Sequence, residues 1–368
     1  MDIKFYCGSC SAKMGADDQY AGQSVSCPKC GTRATVPIPP IEHGTEIGGY
    51  VVQKELGKGA MGTVYLARHE AMDRNVALKV LSTTLGNDDE YTARFHKEVR
   101  FLGRLSHPNI ITAYEAGEQM GYHYLTMAYV EGEDLDARVE REGALPEKEA
   151  LRIAAKMAKA LNYAWDEMQM LHRDLKPENI MVDDHDGVFL MDLGISKQAQ
   201  DDKTLTMTGM AVGTPTYMSP EQARGDRDLD CRTDIYGLGA ALYQLVTGTE
   251  PYQGKSTMHV LTQVLSQPHR PVQEVNPDVS DDTVILIDRM MEKEPEDRYQ
   301  SWEEVRHDIK LIRTGKHLQP PPRSARTHRK EATHSHGDKE TPLRWILVLV
   351  LIVLVLVLTG VLLALSHT

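Results

Sequence analysis

The chain has few basic residues, few cysteines and, over most of its length, no long apolar run. Its 368 residues include 41 lysines and arginines against 53 aspartates and glutamates, which gives a net charge of −12. Contact with a nucleic-acid backbone requires concentrated positive charge, so this deficit argues against a nucleic-acid partner. No signal peptide precedes the first cysteines, and we therefore expect the thiols to stay in a reducing compartment.

The cysteines are concentrated near the N-terminus. Two Cys-x-x-Cys pairs have the spacing of a zinc site, and they consist of Cys7, Cys10, Cys27 and Cys30. We predict a zinc ribbon over residues 1–40, with Gly8 and Gly31 turning amides toward sulfur, because so short a segment lacks a core that folds without an ion. Four thiolates would make the Zn²⁺ structural. The alternatives, disulfides or a redox pair, fit a reducing compartment poorly. Cys231 stands alone and is predicted to be a buried apolar side chain.

The long apolar run lies at the C-terminal end. Residues 345–365 contain no charged residue, and as a helix they span about 30 Å, the thickness of a bilayer core. We predict a single transmembrane helix there. Basic residues precede it and none follows, so the positive-inside rule predicts a cytoplasmic main block, anchored at its C-terminal side in a bacterial inner membrane. Residues 314–344 are predicted to be a flexible juxtamembrane linker, and a metal or pH sensor built on its histidines is the alternative.

Two strands joined by a glycine-rich turn are predicted at the start of the main block. The turn consists of Gly57, Lys58, Gly59, Ala60, Met61 and Gly62. A strand follows it where a dinucleotide-binding unit would have a helix, so we favour a loop folded over phosphates. The next predicted strand, Val76–Val80, carries Lys79 among apolar neighbours, and a lysine there requires an anion.

A helix is predicted to follow that strand. Apolar residues recur at helical spacing, at Phe95, Val99, Leu102 and Leu105. Glu98 lies on this segment, and we predict that the helix holds it toward Lys79.

Three further segments complete the pattern. Residues 172–179 read His-Arg-Asp-Leu-Lys-Pro-Glu-Asn, which is too specific to be a chance loop. An apolar strand, Val188–Met191, then ends in Asp192-Leu193-Gly194, and 213–221 reads Gly-Thr-Pro-Thr-Tyr-Met-Ser-Pro-Glu. Together with the glycine-rich turn and the strand lysine, these segments resemble the bacterial eukaryotic-like serine/threonine protein kinases of the Hanks or Pkn type. The resemblance covers residues 48–313.

The resemblance implies an α+β fold of two lobes, a small antiparallel β lobe and a mainly helical lobe, with ATP between them. The implied activity is transfer of the γ-phosphoryl group of ATP to serine or threonine hydroxyls of protein substrates in signal transduction. Asp174 would take the hydroxyl proton, and Lys176 would neutralise charge on the moving group. Asn179 and Asp192 would hold Mg²⁺, or Mn²⁺ in its place.

An ATP site is also implied by the resemblance. Lys79 would bind the phosphates and pair with Glu98, and Met127 would be the gatekeeper. The adenine edge would form hydrogen bonds with the carbonyl of Ala128 and the amide of Val130. The remaining residues of the implied site are Leu56, Gly57, Lys58, Gly59, Ala60, Met61, Gly62, Val64 and Ala77. Leu193 stands where phenylalanine is more usual, and leucine suits this apolar position.

Regulatory and structural roles are implied for residues around the catalytic segments. Candidate phosphorylation sites precede Gly213, where Arg173 would bind a phosphothreonine; they are Thr206, Thr208 and Thr204. The alternative is a flexible loop with threonines by composition. Asp234 is expected to open a buried helix and to accept amides of the catalytic loop. Arg298 is expected to pair with Glu221.

The zinc ribbon departs from the family pattern, in which many members carry a sensor beyond the membrane helix. We expect the ribbon to bind a partner, a substrate or the kinase domain itself, and a plain folding cap is the alternative. The family also suggests a homodimer that phosphorylates itself. A scaffold without chemistry is the rival function, and the presence of the residues that such proteins usually lose argues against it: Lys79, Asp174, Asn179 and Asp192.

Overall fold

The computed structural model of the chain describes residues 2–59, 62–81, 92, 95, 99–100, 102–193 and 215–319. The chain divides into two compact units, Met1–Leu318 and Gln319–Thr368. Of the second unit, only Gln319 is among the described residues. Within the described residues, no helix is both long and apolar enough to cross a membrane. Several predicted features lie outside the described residues: Ala60, Met61, Glu98, Thr204, Thr206, Thr208 and the apolar run 345–365.

Residues 2–41, called the head below, begin with two small antiparallel hairpins. β1 (Asp2–Tyr6) pairs with β2 (Lys13–Asp17), and β3 (Ser24–Ser26) pairs with β4 (Arg33–Thr35). Along β1 the apolar residues Ile3 and Phe5 are buried, whereas Lys4 and Tyr6 are exposed. This alternation is expected of a strand that covers a core with one face.

The small lobe is a six-stranded antiparallel sheet with strand order β5-β6-β7-β8-β10-β9. Its strands are β5 (Glu46–Ile47), β6 (Tyr50–Gly59), β7 (Gly62–His69), β8 (Arg74–Leu81), β9 (Ala113–Gln119) and β10 (Tyr122–Ala128). The sheet is curled, since the amide of Gly48 before β6 donates to Gln119 Oε1 at the far edge over 2.6 Å. The predicted strands and the lysine-bearing strand are therefore confirmed.

The segment between β8 and β9 is described only in part. Phe95, Val99 and Leu102 have helical backbone, as their spacing predicted; Phe95 and Leu102 belong to the buried cluster of the large lobe, and Val99 is partly buried against it. Leu105 is also buried there, but it lies beyond the helix. After it, the backbone of Asn109 and Ile111 bonds to Leu190, which ties the small lobe to a strand of the large lobe.

Helices dominate the large lobe. They are α1 (Leu135–Glu142), α2 (Glu147–Met168), α3 (Pro220–Arg224), α4 (Cys231–Thr247), α5 (Thr257–Ser266), α6 (Val272–Val275), α7 (Asp281–Met290) and α8 (Trp302–Arg313). A three-stranded sheet lies beside them, formed by β11 (Gly132–Asp134), β12 (Ile180–Asp183) and β13 (Val188–Leu190). The predicted α+β class, with a small β lobe and a mainly helical lobe, is confirmed.

Helix α4 is the centre of the large lobe. All of its residues except Arg232 are buried, as expected of a helix packed on every side. It begins at Cys231 with Asp230 as its N-cap, so the predicted start at Asp234 was wrong by three residues. Burial raises the pKa of Cys231 to about 11, which keeps this thiol protonated and agrees with the predicted apolar role.

The first residues of the predicted linker pack against the large lobe. Leu318 is buried, and its amide donates to Asp282 Oδ1 over 2.7 Å, while Asp282 Oδ2 lies 2.9 Å from the ring of His317. Because Asp282 stands in the first turn of α7, these contacts extend the folded unit to Leu318.

Candidate active site

A buried carboxylate holds the backbone of the catalytic loop, His172–Lys176, in place. Asp234 in the first turn of α4 accepts the amide of His172 over 2.7 Å and that of Arg173 over 2.8 Å. Burial raises the pKa of Asp234 above its ordinary value, against the opposing effects of His172 and the two amide bonds. The expected role of this carboxylate is confirmed.

Arg173 adopts a left-handed backbone, with φ of 63°. This conformation is costly for a residue with a side chain and persists where its surroundings fix it. Two bonds fix it here, the amide on Asp234 and the carbonyl, which accepts Gln222 Nε2 over 2.7 Å. The loop that carries Asp174 is therefore clamped immediately before that residue.

His172 and Asn179 join the loop to the strand that ends before Asp192. The amide of Asp174 donates to His172 Nδ1 over 3.2 Å, so Nε2 carries the proton and donates to the carbonyl of Met191 at 2.8 Å. Met191 in turn donates its amide to the carbonyl of Asn179. Asn179 Nδ2 lies 2.7 Å from the carbonyl oxygen of Asp174 and 3.3 Å from its Oδ2. These bonds bring the predicted catalytic residues together.

Lys79 contacts Asp192. Its Nζ lies 2.6 Å from Asp192 Oδ1, across 113 residues of sequence, and the lysine is buried. Asp192 also has a left-handed backbone, with φ of 51°, which marks a position fixed by its surroundings. Leu193 is buried as predicted. Glu98, the predicted partner of Lys79, lies outside the described residues.

Oxygen ligands for a hard cation are present at this point. Asp192 supplies a carboxylate and Asn179 a carboxamide, ligand types that suit Mg²⁺ or Mn²⁺. Because Asp174 holds the amide nitrogen of Asn179, the amide oxygen is the atom left to face a metal. The residues therefore fit the predicted ion.

The predicted ATP residues of the small lobe lie on the described strands around Lys79. Leu56 through Gly59 end β6, and Gly62 and Val64 lie on β7, where Val64 is opposite Lys79. Ala77 shares the face of β8 that carries Lys79. A Cβ on Gly62 would lie 2.0 Å from the carbonyl oxygen of Val80, so this position requires glycine.

The predicted hinge follows β10. This strand ends at Ala128, with Met127 partly buried against the large-lobe cluster, so Tyr129 and Val130 lie directly after the strand, in the segment that leads to the large lobe. The amide of Ala128 donates to the carbonyl of Thr112. The amide of Val130 has no acceptor within the described ranges, which fits its predicted contact with an adenine edge.

A buried ion pair holds the first turn of α3. Arg298 Nη1 and Nη2 lie 2.7 Å from the two carboxylate oxygens of Glu221, and its other three N–H groups donate to backbone carbonyls. Burial by itself would raise the pKa of Glu221, but the bonds and charge of Arg298 outweigh it and lower that pKa. The predicted pairing is confirmed.

Gln222 is a supporting residue that the sequence analysis missed. Its Oε1 accepts the amide of Ser219, whose Oγ accepts the amide of Gln222. The spacing Ser-x-x-Gln is a capping box and was visible in the sequence. Its second contact, with Arg173, depends on the approach of α3 to the catalytic loop and has no local signal.

The four head cysteines form one cluster. Their sulfur atoms all lie within 4.8 Å of one another, and the Cys7–Cys30 and Cys10–Cys27 pairs are each 3.7 Å apart. A tetrahedral zinc with Zn–S bonds of about 2.3 Å separates its sulfurs by about 3.8 Å, so the donors fit Zn²⁺ and are not disulfides. The cysteines themselves are free.

The two cysteine turns have the same backbone. In each, the first cysteine donates its amide to the residue five positions on and accepts an amide from the residue four positions on. That latter residue is left-handed in both, at Ser11 with φ of 54° and at Gly31 with φ of 74°. The expected turn role of Gly31 fits this geometry, whereas in the first turn the left-handed residue is Ser11 and not Gly8.

Comparison with known proteins identifies the family. Residues 50–309 match the model of the protein kinase domain. The chain is 37% identical over 270 residues to the serine/threonine-protein kinase PknB of Mycobacterium leprae, and 36% over 263 residues to PrkC of Bacillus subtilis. Each match covers 72% of this chain, but only 43% and 40% of the two relatives, so the chain spans less than half of their length.

Solved structures agree with the sequence comparison. The crystal structure of the kinase domain of PknI from Mycobacterium tuberculosis has a TM-score of 0.59 and 31% identity. The match covers 74% of this chain and 99% of that domain. Since the matched segment includes the catalytic loop, Lys79 and Asp192, the chain belongs to the protein kinase family, through a kinase domain of the bacterial serine/threonine type.

Proposed function

We propose that the chain is a serine/threonine protein kinase that transfers the γ-phosphoryl group of ATP to protein hydroxyls. The observation that carries this proposal is the convergence of the catalytic residues: Asn179 bonds to Asp174, and Lys79 lies 2.6 Å from Asp192. The rival, a scaffold that binds nucleotide without chemistry, would not require this arrangement. The serine/threonine-protein kinases among the relatives support the same substrate class.

Asp174 is the proposed base for the attacking hydroxyl. Its backbone is fixed by the His172 ring and its carboxylate by Asn179, so the carboxylate is oriented before a substrate arrives. Lys176, whose Nζ lies 3.5 Å from Glu178, supplies positive charge two residues away. Lys79 would orient the phosphates of ATP. Asn179 and Asp192 would hold the metal, which when bound offsets the charge of the phosphates.

The surroundings of the kinase domain complete the proposal. Residues 345–365 would anchor the chain in a bacterial inner membrane, with the kinase domain on the cytoplasmic side. The head would be a zinc ribbon, supported by the sulfur spacing. A homodimer would phosphorylate itself on Thr206 or Thr208, with Thr204 as the third candidate site. Arg173 would bind the resulting phosphothreonine.

The test uses the full chain in mild detergent, incubated with MgATP and a generic basic protein. Incorporated phosphate is mapped by mass spectrometry, with Asp192→Asn as the inactive variant and Asp184→Asn, in the exposed turn before β13, as the matched control. We expect phosphate on Thr206 or Thr208 in the native chain and in Asp184→Asn, and none in Asp192→Asn. Nucleotide binding without phosphate transfer in all three proteins would support the scaffold instead.

A further inference from the structure

The tip of the β9–β10 hairpin carries an unexpected residue. Gln119 and Tyr122 pair across a two-residue loop, Met120-Gly121, and both loop residues are left-handed, with φ of 52° and 74°. Such loops favour Asn-Gly, because asparagine and glycine adopt this backbone readily. Methionine does not, yet Met120 is 8% exposed. Its burial, rather than its backbone preference, explains methionine at this position.

The head covers this hairpin tip. A Cβ on Gly121 would lie 3.0 Å from the carbonyl oxygen of Ala21 and 3.2 Å from Ile38 Cδ1, so the two backbones are in close contact. Tyr122 Oη donates to the carbonyl oxygen of Pro39 over 2.7 Å. Met120 belongs to an apolar cluster that contains residues of both the head and the small lobe. The head is therefore docked on the kinase domain.

The metal ligands belong to that same cluster. Cys7 is 1% exposed and Cys27 2% exposed, and both belong to the cluster that contains apolar residues of the head and of the sheet. The buried head residues in the cluster are few, namely Ile3, Phe5, Cys7, Met14, Ala21, Cys27 and Val36, and the other apolar head residues that pack against it are only partly buried. A core of this size does not hold so short a segment by itself, so the docked conformation depends on a bound ion.

The docked head and the nucleotide cleft use opposite faces of two strands. Val80 of β8 and Tyr124 of β10 lie opposite one another and belong to the cluster shared with the head. Lys79 and Leu125, the next residues along, also pair, and Lys79 points to the other face, toward Asp192. Any change that loosens the packing of the head against Val80 and Tyr124 therefore disturbs β8, the strand that positions Lys79.

We propose that Zn²⁺ at the four cysteines and nucleotide at the Lys79 cleft bind with positive cooperativity, coupled through the docked head and the Met120 hairpin tip. The inference rests on the zinc site and the nucleotide site proposed above. Coupling between two binding sites is reciprocal, so each ligand must tighten the other by the same factor. We expect about a tenfold effect, within the usual range for coupled sites.

The test measures both halves of this cycle on the full chain in mild detergent. The affinity for MgADP is measured by calorimetry with and without Zn²⁺, and the affinity for Zn²⁺ by competition with a chromophoric chelator, with and without MgADP. Equal factors of about ten in the two experiments support the inference. Zinc binding with both factors within twofold of unity overturns it and leaves the zinc site and the kinase activity in place.

Two variants test the route through the hairpin tip. Met120→Asn suits the left-handed backbone but places a polar amide in the apolar cluster. The hairpin turn therefore still forms, while the head loses its apolar contact with the turn. We expect it to bind both ligands without cooperativity, whereas Met120→Leu, which keeps the apolar contact, retains most of it. Full cooperativity in Met120→Asn overturns this route.

The remaining outcomes separate the proposals. Failure of the native chain to bind Zn²⁺ overturns the zinc site and the coupling together. Cooperativity in a chain that transfers no phosphate supports the coupling and counts against the proposed kinase activity alone.

Discussion

Replacing Asp234 by asparagine tests how the catalytic loop is held. The carboxylate accepts two amides, those of His172 and Arg173, over 2.7 and 2.8 Å. Asparagine has the same shape but one acceptor oxygen, so its NH₂ group must face one of these buried amides. A lost hydrogen bond to a charged acceptor costs about 1.5–3 kcal/mol. Because burial already raises the pKa of Asp234, removal of the charge offsets part of this cost. We therefore expect the free energy of unfolding to fall by about 2 kcal/mol.

The effect on catalysis is expected to exceed the effect on nucleotide binding. Arg173 is left-handed, and Asp234 provides one of the two bonds that fix it. Once that bond weakens, the loop relaxes and displaces Asp174, and a misplacement of about 1 Å costs up to about a hundredfold in rate. We expect kcat to fall by about tenfold or more, while the KM for ATP changes by less than about threefold.

The assay compares urea unfolding and steady-state phosphate transfer in the native chain, Asp234→Asn and the control Asp230→Asn. Asp230 is the N-cap of the same helix and is partly exposed, and asparagine caps as well as aspartate. The control should therefore stay within about 1 kcal/mol of the native chain and keep its kcat. Equal losses in the two variants, or an unchanged kcat in Asp234→Asn, would refute the reasoning.

Three further predictions concern stability and nucleotide binding. Arg298→Lys removes a bidentate pair and should lower the free energy of unfolding by about 3 kcal/mol, whereas the more exposed Arg289→Lys should change it by less than about 1 kcal/mol in the same thermal unfolding assay. Folding lowers the pKa of Glu221, so this carboxylate stabilises the fold above its unfolded pKa near 4.5, and that stabilisation is lost as the pH falls through the folded pKa. Urea unfolding midpoints should therefore drop steeply below about pH 4.5 in the native chain and less steeply in Glu221→Gln. Parallel pH profiles of the two proteins would contradict this. Gly62→Ala places a Cβ against the backbone of β8 and should weaken MgADP binding in calorimetry, while Gly15→Ala, at an exposed position where the Cβ meets open space, should not; equal affinities in both variants would count against the role of Gly62.

The catalytic segments could be located from the sequence because their signals are local. A strand pattern around Lys79, the octapeptide at 172–179 and an apolar strand before Asp192 each occupy a few consecutive residues. These motifs carried the family resemblance, and that resemblance implied the two lobes and the residues that converge between them. The Glu221–Arg298 pair, far apart in sequence, was predicted from the family resemblance and not from any local rule.

Some boundaries were wrong because side-chain period does not mark where an element ends. Leu105 keeps the apolar spacing of the preceding helix but lies beyond it, and α4 begins three residues before Asp234. At Leu105 the apolar burial continues after the helix has ended, whereas at α4 the helix extends three residues before the apolar run. Capping residues such as Asp230 decide the end of a helix, and their signal is weaker than that of the apolar pattern.

The sequence by itself determined the family, the candidate catalytic residues and the spacing of the four N-terminal cysteines, because each depends on residue type at fixed local distances. It left open whether the head binds a partner, a substrate or the kinase domain. Only the tertiary structure decided that the head packs on the small lobe, since the burial of Met120 depends on residues about a hundred positions away. The clamp on Arg173 has the same origin, because Asp234 and Gln222 reach it from separate helices.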